Sequence, residues 1–270
     1  MEYDDCLICK RYVAARERDV VIRQLVLRLV DSKFYPKIFR SIRALPLCAS
    51  CLLEIPFIEN DICEYCGKRM DNPIHREPII KATIYKLLCS DCLDNKNKLL
   101  QCNRSVIRYN SWAKETMAIY KYRGEERLAT IFAVLLLACY YRYVSSMSFQ
   151  LVTYVPLHQN REEERGFNQV ELIAKHFSQY TNIPVIPLLI RSKETEKQSH
   201  QSNKQARLRS MKNTFSAYRD PENRIQRTMK PILLIDDIYT TGSTMQSCAE
   251  AIQAIPTFAF SQIVGLTVCR

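Results

Sequence analysis

An α/β fold, in which a parallel sheet is flanked by helices and preceded by a small cysteine-rich module, is the fold class that this sequence predicts. Three observations carry it. Short apolar runs at 151–155, 185–190, 232–235 and 263–268 read as strands buried on both faces of a parallel sheet. Helical patterns separate these runs, and strands alternating with helices imply crossover connections. Eight of the twelve cysteines fall into four CxxC pairs, all of them N-terminal to the first of those strands.

The composition is that of an ordinary globular chain of 270 residues, 47% apolar and 25% charged, long enough for one large or two modest domains. The beginning, MEYDDCLICK, is acidic and lacks an apolar core region. The longest apolar run, residues 131–141, is about half the ~20 residues needed to cross a bilayer. A cytoplasmic protein without a membrane span is expected. The net charge of +11 is unevenly spread, since residues 191–230 hold eleven Lys/Arg against four Asp/Glu. Such a balance suits phosphorylated ligands or nucleic acid, with a solvated surface as the alternative.

The cysteine pairs are Cys6/Cys9, Cys48/Cys51, Cys63/Cys66 and Cys89/Cys92. Two intervening residues let both thiolates reach one metal from a tight turn. Two pairs then complete a tetrahedral all-thiolate zinc site with no open position, which makes it structural. One or two zinc ions are expected, with the pairs used sequentially as two ribbons; in the alternative, cross-braced arrangement the first and third pairs share a metal. Redox-active CxxC heads a helix in a thioredoxin-like unit, and no such context surrounds these pairs. Between Cys9 and Cys48 lies an amphipathic helical pattern with Val20, Leu25, Leu27 and Leu29 as apolar positions. Cys102, Cys139, Cys248 and Cys269 stand alone as core or surface thiols. The expected division is a double zinc-ribbon module with a helical insertion over 1–103 and the α/β domain over 104–270, with residues 103–110 as the transition.

In the second domain the strand at 151–155 leads through a charged loop to a helix at 168–180, then to the strand at 185–190 and the basic window. The strand at 232–235 follows, then a helix at 243–255 and the last strand at 263–268. Asp236 and Asp237 fall at the carboxyl end of their strand, where open parallel sheets bind ligands. Thr240, Thr241, Gly242, Ser243 and Thr244 form a small hydroxyl-rich turn into the next helix, whose N–H groups and dipole suit a phosphate. Carboxylates suit the hydroxyls of a sugar. The stretch therefore asks for a ligand with both a ribose and a phosphate.

PILLIDDIYTTGST at 231–244 resembles the 5-phosphoribosyl-1-pyrophosphate (PRPP) signature of type I phosphoribosyltransferases. That resemblance implies a type I phosphoribosyltransferase-like sheet in which Asp236 and Asp237 hold the ribose 2′ and 3′ hydroxyls while Thr240, Thr241, Gly242, Ser243 and Thr244 wrap the 5′-phosphate. YKYRGEERLA at 120–129, VPLHQNREEERGFNQVELIAK at 155–175 and a loop ending QARLRSMKNTFSA extend the likeness, with the CxxC pairs, to the ComF family of competence proteins. It covers nearly the whole chain. By this resemblance Arg161, Arg165 and the Gly166 amide meet the diphosphate, arginine forks matching phosphate oxygens. For residues 161–165 the alternative is a charged helix start whose glutamates favour the dipole. Gln205, Arg207, Arg209, Lys212 and Asn213 belong by resemblance to a mobile loop that closes over the substrate, and Mg accompanies PRPP. No catalytic residue is assigned.

The family implies a PRPP-binding protein that acts in DNA uptake during natural transformation. It handles incoming single-stranded DNA, with other DNA-uptake proteins as further partners. The alternative is an active phosphoribosyltransferase on an unidentified nitrogen acceptor, unrelated to DNA. Tyr109, Trp112, Tyr120 and Tyr122 are candidates for an aromatic platform under single-stranded bases. The acceptor side of the phosphoribosyl site is expected from the ribbons and residues 121–124, the alternative being that the ribbons are a tethered module that binds a separate partner.

Overall fold

A computed structural model describes residues 5–59, 61–70, 76–78, 85–93, 99–192, 214–218, 230–259 and 261–270. The first and third CxxC pairs fold into the same turn. Cys6 N–H donates to the Arg11 carbonyl and Lys10 N–H to the Cys6 carbonyl, both at 2.8 Å. Cys63 to Lys68 (2.7 Å) and Gly67 to Cys63 (2.8 Å) repeat that pattern.

After the first turn come helices α1 (Ala15–Leu29) and α2 (Tyr35–Arg43), then the short α3 (Ala49–Leu53), which carries Cys51. On α1 the buried apolar residues are Ile22, Leu25, Val26 and Leu29, the i, i+3, i+4, i+7 set of one helix face. Val20 and Leu27 lie off that face and are 55% and 69% exposed, which corrects the expected apolar set. An antiparallel ribbon, β1 (Arg76–Pro78) with β2 (Tyr85–Leu87), precedes α4 (Ser90–Leu93), which carries Cys92.

Next comes β3 (Leu100–Ile107), then α5 (Ser111–Tyr122) and α6 (Leu128–Tyr143). The segment expected as a transition is thus largely a strand. Its pattern places Cys102, Asn103, Ser105, Val106 and Ile107 out of solvent, and the expected boundary after residue 103 falls inside it. β4 (Leu151–Tyr154), α7 (Gln159–Arg165) and α8 (Gln169–Thr181) follow. Residues 185–190 differ from expectation. Val185 makes a single parallel bridge to Val152, and β5 (Leu189–Arg191) pairs antiparallel with β6 (Phe215–Ala217). Pro187 explains the break, because it has no N–H to continue a ladder. The chain ends in β7 (Ile232–Ile238), α9 (Ser243–Gln253) and β8 (Ile263–Cys269).

Four strands form the expected parallel sheet in the order β3-β8-β7-β4. Residues 57 and 58 cover its β3 edge: Phe57 bridges to Ile107, and Ile58 N–H donates to the Val106 carbonyl at 2.9 Å. Because strand side chains alternate, each face has its own core. Leu233, Ile235, Val264 and Leu266 pack with α6, α8 and the N-terminal helices, together with Cys6, Cys48 and Cys51. Ile232, Leu234 and Ile263 pack on the other face with α9 and with Cys63, Cys66, Cys89 and Cys92. The longest apolar helix, α6, is buried between the sheet and the N-terminal helices α1 and α2, and among the described residues no helix is long and apolar enough to cross a membrane.

Candidate functional site

The four CxxC pairs form two clusters, Cys6/Cys9/Cys48/Cys51 and Cys63/Cys66/Cys89/Cys92, each with its sulfurs within 4.8 Å of one another. This is the sequential arrangement. Cys9 and Cys48 Sγ lie 3.6 Å apart, as do Cys66 and Cys89 Sγ. That is close to the ~3.8 Å edge of a tetrahedron with Zn–S bonds of about 2.3 Å. Amides support the sulfurs: Cys51 N–H donates to Cys48 Sγ (3.5 Å) and Cys89 N–H to Cys63 Sγ (3.4 Å). The donor sets fit structural zinc.

The second cluster sits under the sheet's carboxyl end. Gln246 of α9 donates from Nε2 to Tyr65 Oη, and its Oε1 accepts from Leu99 N–H at 3.0 Å. Tyr239 is buried in the same core as these cysteines. The Arg270 guanidinium lies 4.6 Å from the Tyr239 ring centre and donates to the Thr240 carbonyl at 3.1 Å. Gly242 has φ +82°, and a Cβ there would sit 2.2 Å from Tyr239 Oη. The turn between β7 and α9 therefore tolerates only glycine at this point.

Above that turn opens a cleft of about 510 Å³. Asp236, Asp237, Thr240, Thr244, Arg161 and Arg165, all expected from the sequence, line it. Being consecutive strand residues, the two acids point to opposite faces of the sheet. Asp237 forms an ion pair with Lys121 of α5. Burial opposes the charge on Lys121, but Asp237, aided by Asp236, holds its pKa above the usual lysine value. Asp236 is buried, and its Oδ1 accepts from Asp237 N–H at 2.8 Å. Burial first, and the Asp237 charge second, push its carboxyl up to about 8. One acid is thus held by a cation, whereas burial works against the charge of the other.

Other expected residues stand behind the cleft. Thr241 Oγ1 bonds Ser243 Oγ at 3.1 Å and accepts from Ser243 N–H at 3.4 Å, so the turn closes on itself. The Gly166 amide donates to the Glu162 carbonyl at 2.8 Å, ending α7, and is absorbed by that cap instead of facing the cleft. Gln205, Arg207, Arg209, Lys212 and Asn213 lie outside the described residues. The sequence RGFNQ at 165–169 works as a bracket. Arg165 Nη1 donates to Gln169 Oε1 (2.8 Å), and Asn168 Oδ1 caps α8 by accepting from Val170 and Glu171 N–H. Tyr120 Oη donates to the Gln169 carbonyl at 2.7 Å, which fixes α5 against α8.

Sequence reasoning marked residues 121–124 without a role for Lys121, and it missed Lys114 and Arg191. All three line the cleft. Lys114, Ala118 and Lys121 recur at helical spacing along α5, a signal that a helical wheel would have shown. Of the aromatic candidates, Tyr120 is fully buried and Trp112 packs on the core, whereas Tyr109 and Tyr122 line the cleft. Among the described residues the cleft lining includes α5, with Lys121 and Tyr122 from the expected 121–124 segment, and no ribbon residue.

Over 252 residues the chain is 32% identical to competence protein ComFC of Bacillus subtilis (strain 168), covering 92% of this chain and 88% of that one. It belongs to the ComF family. Another relative is the DNA utilization protein YhgH of Escherichia coli (strain K12), 25% identical, covering 76% of this ComF chain and 89% of the relative. No family model matches the chain. Among solved structures, adenine phosphoribosyltransferase from Leishmania tarentolae superposes on 56% of this chain and 74% of its own with a TM-score of 0.30 and 16% identity.

Proposed function

We propose that the cleft binds PRPP or a related phosphosugar as its Mg complex, and that the protein acts in DNA uptake, handling incoming single-stranded DNA in the cytoplasm. One observation carries the phosphosugar reading. Two acids at the end of a parallel strand share a cleft with the start of α9 and with Lys114, Lys121, Arg161, Arg165 and Arg191. Asp236 and Asp237 suit the ribose hydroxyls, and the turn from Thr240 to Thr244 suits the 5′-phosphate at a helix N-terminus. Arg161 and Arg165 suit the diphosphate, where Mg would neutralise charge. The DNA-uptake reading is supported by relatives named for competence and DNA utilization.

Titration calorimetry with PRPP, with and without Mg, tests this. Asp236→Ala or Asp237→Ala is expected to weaken PRPP binding by about one to two orders of magnitude, the loss of a hydrogen bond to a sugar hydroxyl worth ~1–3 kcal/mol. Wild-type affinity in both variants, or no binding to the wild-type protein, rejects the reading. Pyrophosphate release in the presence of candidate nitrogen nucleophiles separates binding from turnover.

A further inference from the structure

Helix α5 walls the cleft along its length. Lys114, Met117, Ala118 and Lys121 lie on the lining side, while Tyr109 just before the helix and Tyr122 at its last turn line the same cleft. The two tyrosines are 48% and 64% exposed. The backbone of the first and the ring of the second are held in place. Tyr109 N–H donates to the Arg270 carbonyl at 2.8 Å, and the Arg165 guanidinium lies 5.3 Å from the Tyr122 ring centre. The interval between them is the length of α5, roughly 18 Å at ~1.5 Å per residue. That is the span of about five stacked nucleotides at ~3.4 Å each.

A pair of exposed rings with a lysine between them is an arrangement that holds a single strand without reading its sequence: bases stack on the rings and a phosphate meets the cation. We infer that α5 is a single-stranded DNA track, with Tyr109 and Tyr122 as base-stacking platforms and Lys114 as a phosphate contact. The track ends beside Asp236 and Asp237. This inference rests on the DNA-handling reading and adds where the strand lies: against the phosphosugar pocket, so that a base or strand end reaches a ligand held by the acids.

The test compares oligothymidylate with an abasic oligonucleotide of equal length and charge, using fluorescence anisotropy with full-length zinc-loaded protein. The wild-type protein is expected to prefer the base-bearing strand. Tyr109→Ala and Tyr122→Ala should each reduce that preference about tenfold, and the Tyr→Phe variants should keep it. Lys114→Gln should weaken both strands alike and lower the salt slope by about one. Equal wild-type affinity for the two strands, unchanged preference in both alanine variants, or thymidine monophosphate binding as tightly as the oligonucleotide overturns the track. PRPP calorimetry on the wild-type protein reports separately on the phosphosugar reading, and the wild-type anisotropy shows separately whether DNA binds at all.

Discussion

The two four-cysteine centres share a local design but not a place in the molecule. In each, a CxxC turn is closed by the same two backbone bonds and brings a residue of positive φ just after its second cysteine, Lys10 (φ 60°) or Gly67 (φ 71°). Each turn is flanked by one antiparallel bridge, Asp5 to Tyr12 or Ile62 to Arg69, and each is completed by a pair at the start of a short helix. The first centre joins the core behind α6 and keeps Cys9 partly exposed, with Arg11 Nε donating to its sulfur at 3.4 Å. The second has all four cysteines buried and packs against Tyr239, Met245 and Cys248, beneath the turn that opens the cleft. Equal chemistry has been put to unequal use: one centre organises a helical layer, the other supports the site.

The largest expected contrast comes from removing one ligand at each centre. Cys63→Ser should release one metal, expose the second module to protease and abolish PRPP binding, because structural zinc contributes roughly 10–16 kcal/mol of apparent folding free energy. Cys6→Ser should also release one metal and loosen α1–α3, while PRPP binding persists. Metal analysis, limited proteolysis and calorimetry on both variants read this out; equal loss of PRPP binding would erase the distinction.

The acids at the sheet end extend the contrast, since Asp237 faces α5 and Asp236 the side of α9. Asp237→Asn leaves Lys121, half-buried at the cleft wall, without its charged partner and should cost about 1–3 kcal/mol. Asp236→Asn should do the reverse. The folded-state pKa of Asp236, about 8, lies above the unfolded value of ~3.9. The native state therefore holds an extra proton between these limits, and wild-type stability falls as pH rises from about 4 to 8. Asparagine does not titrate, so the Tm advantage of Asp236→Asn should grow over that window. A pH-independent Tm difference would contradict the assignment.

Smaller still is the difference between the two turn residues. A Cβ on Gly67 would sit 2.8 Å from the Asn103 carbonyl oxygen, so Gly67→Ala adds a clash to an unfavourable φ and should cost about 2 kcal/mol. Lys10→Gly relieves the strain of a side chain at positive φ and should stabilise by up to ~1 kcal/mol. Urea denaturation measures both, and similar losses at the two positions would show that the turns are equally crowded.

Much of this was legible in the sequence, for reasons tied to spacing. Pairs of cysteines two residues apart, an apolar run ending in two acids and a glycine in a hydroxyl-rich turn are local signals, and β7, α9 and both sulfur clusters formed as they imply. What escaped was tertiary. Lys121 reads as a solvent-facing helix residue until Tyr120 pins α5 to α8 and turns the lysine onto Asp237. Nothing local in LQCNRSVI reveals that its partner strand lies far downstream. Val20 and Leu27 mislead because apolar content alone does not fix a helix face; position does. At 166 the glycine's motif was visible, but its amide was already taken by Glu162.

The position of β8 has a kinetic consequence. It is the last strand in the sequence, yet it lies between β3 and β7, pairing Leu100 and Ile232 alike with Ile263. Until residues 263–269 are available, β3 and β7 have no strand between them. They are two raw edges separated by the width of one missing strand, about 9–10 Å. The cysteine turns close over short distances and can bind metal early, whereas joining β3 to the rest of the sheet waits on a contact of very long sequence separation, the slow kind. During synthesis, then, the four-stranded sheet cannot close until residues 263–269 have emerged.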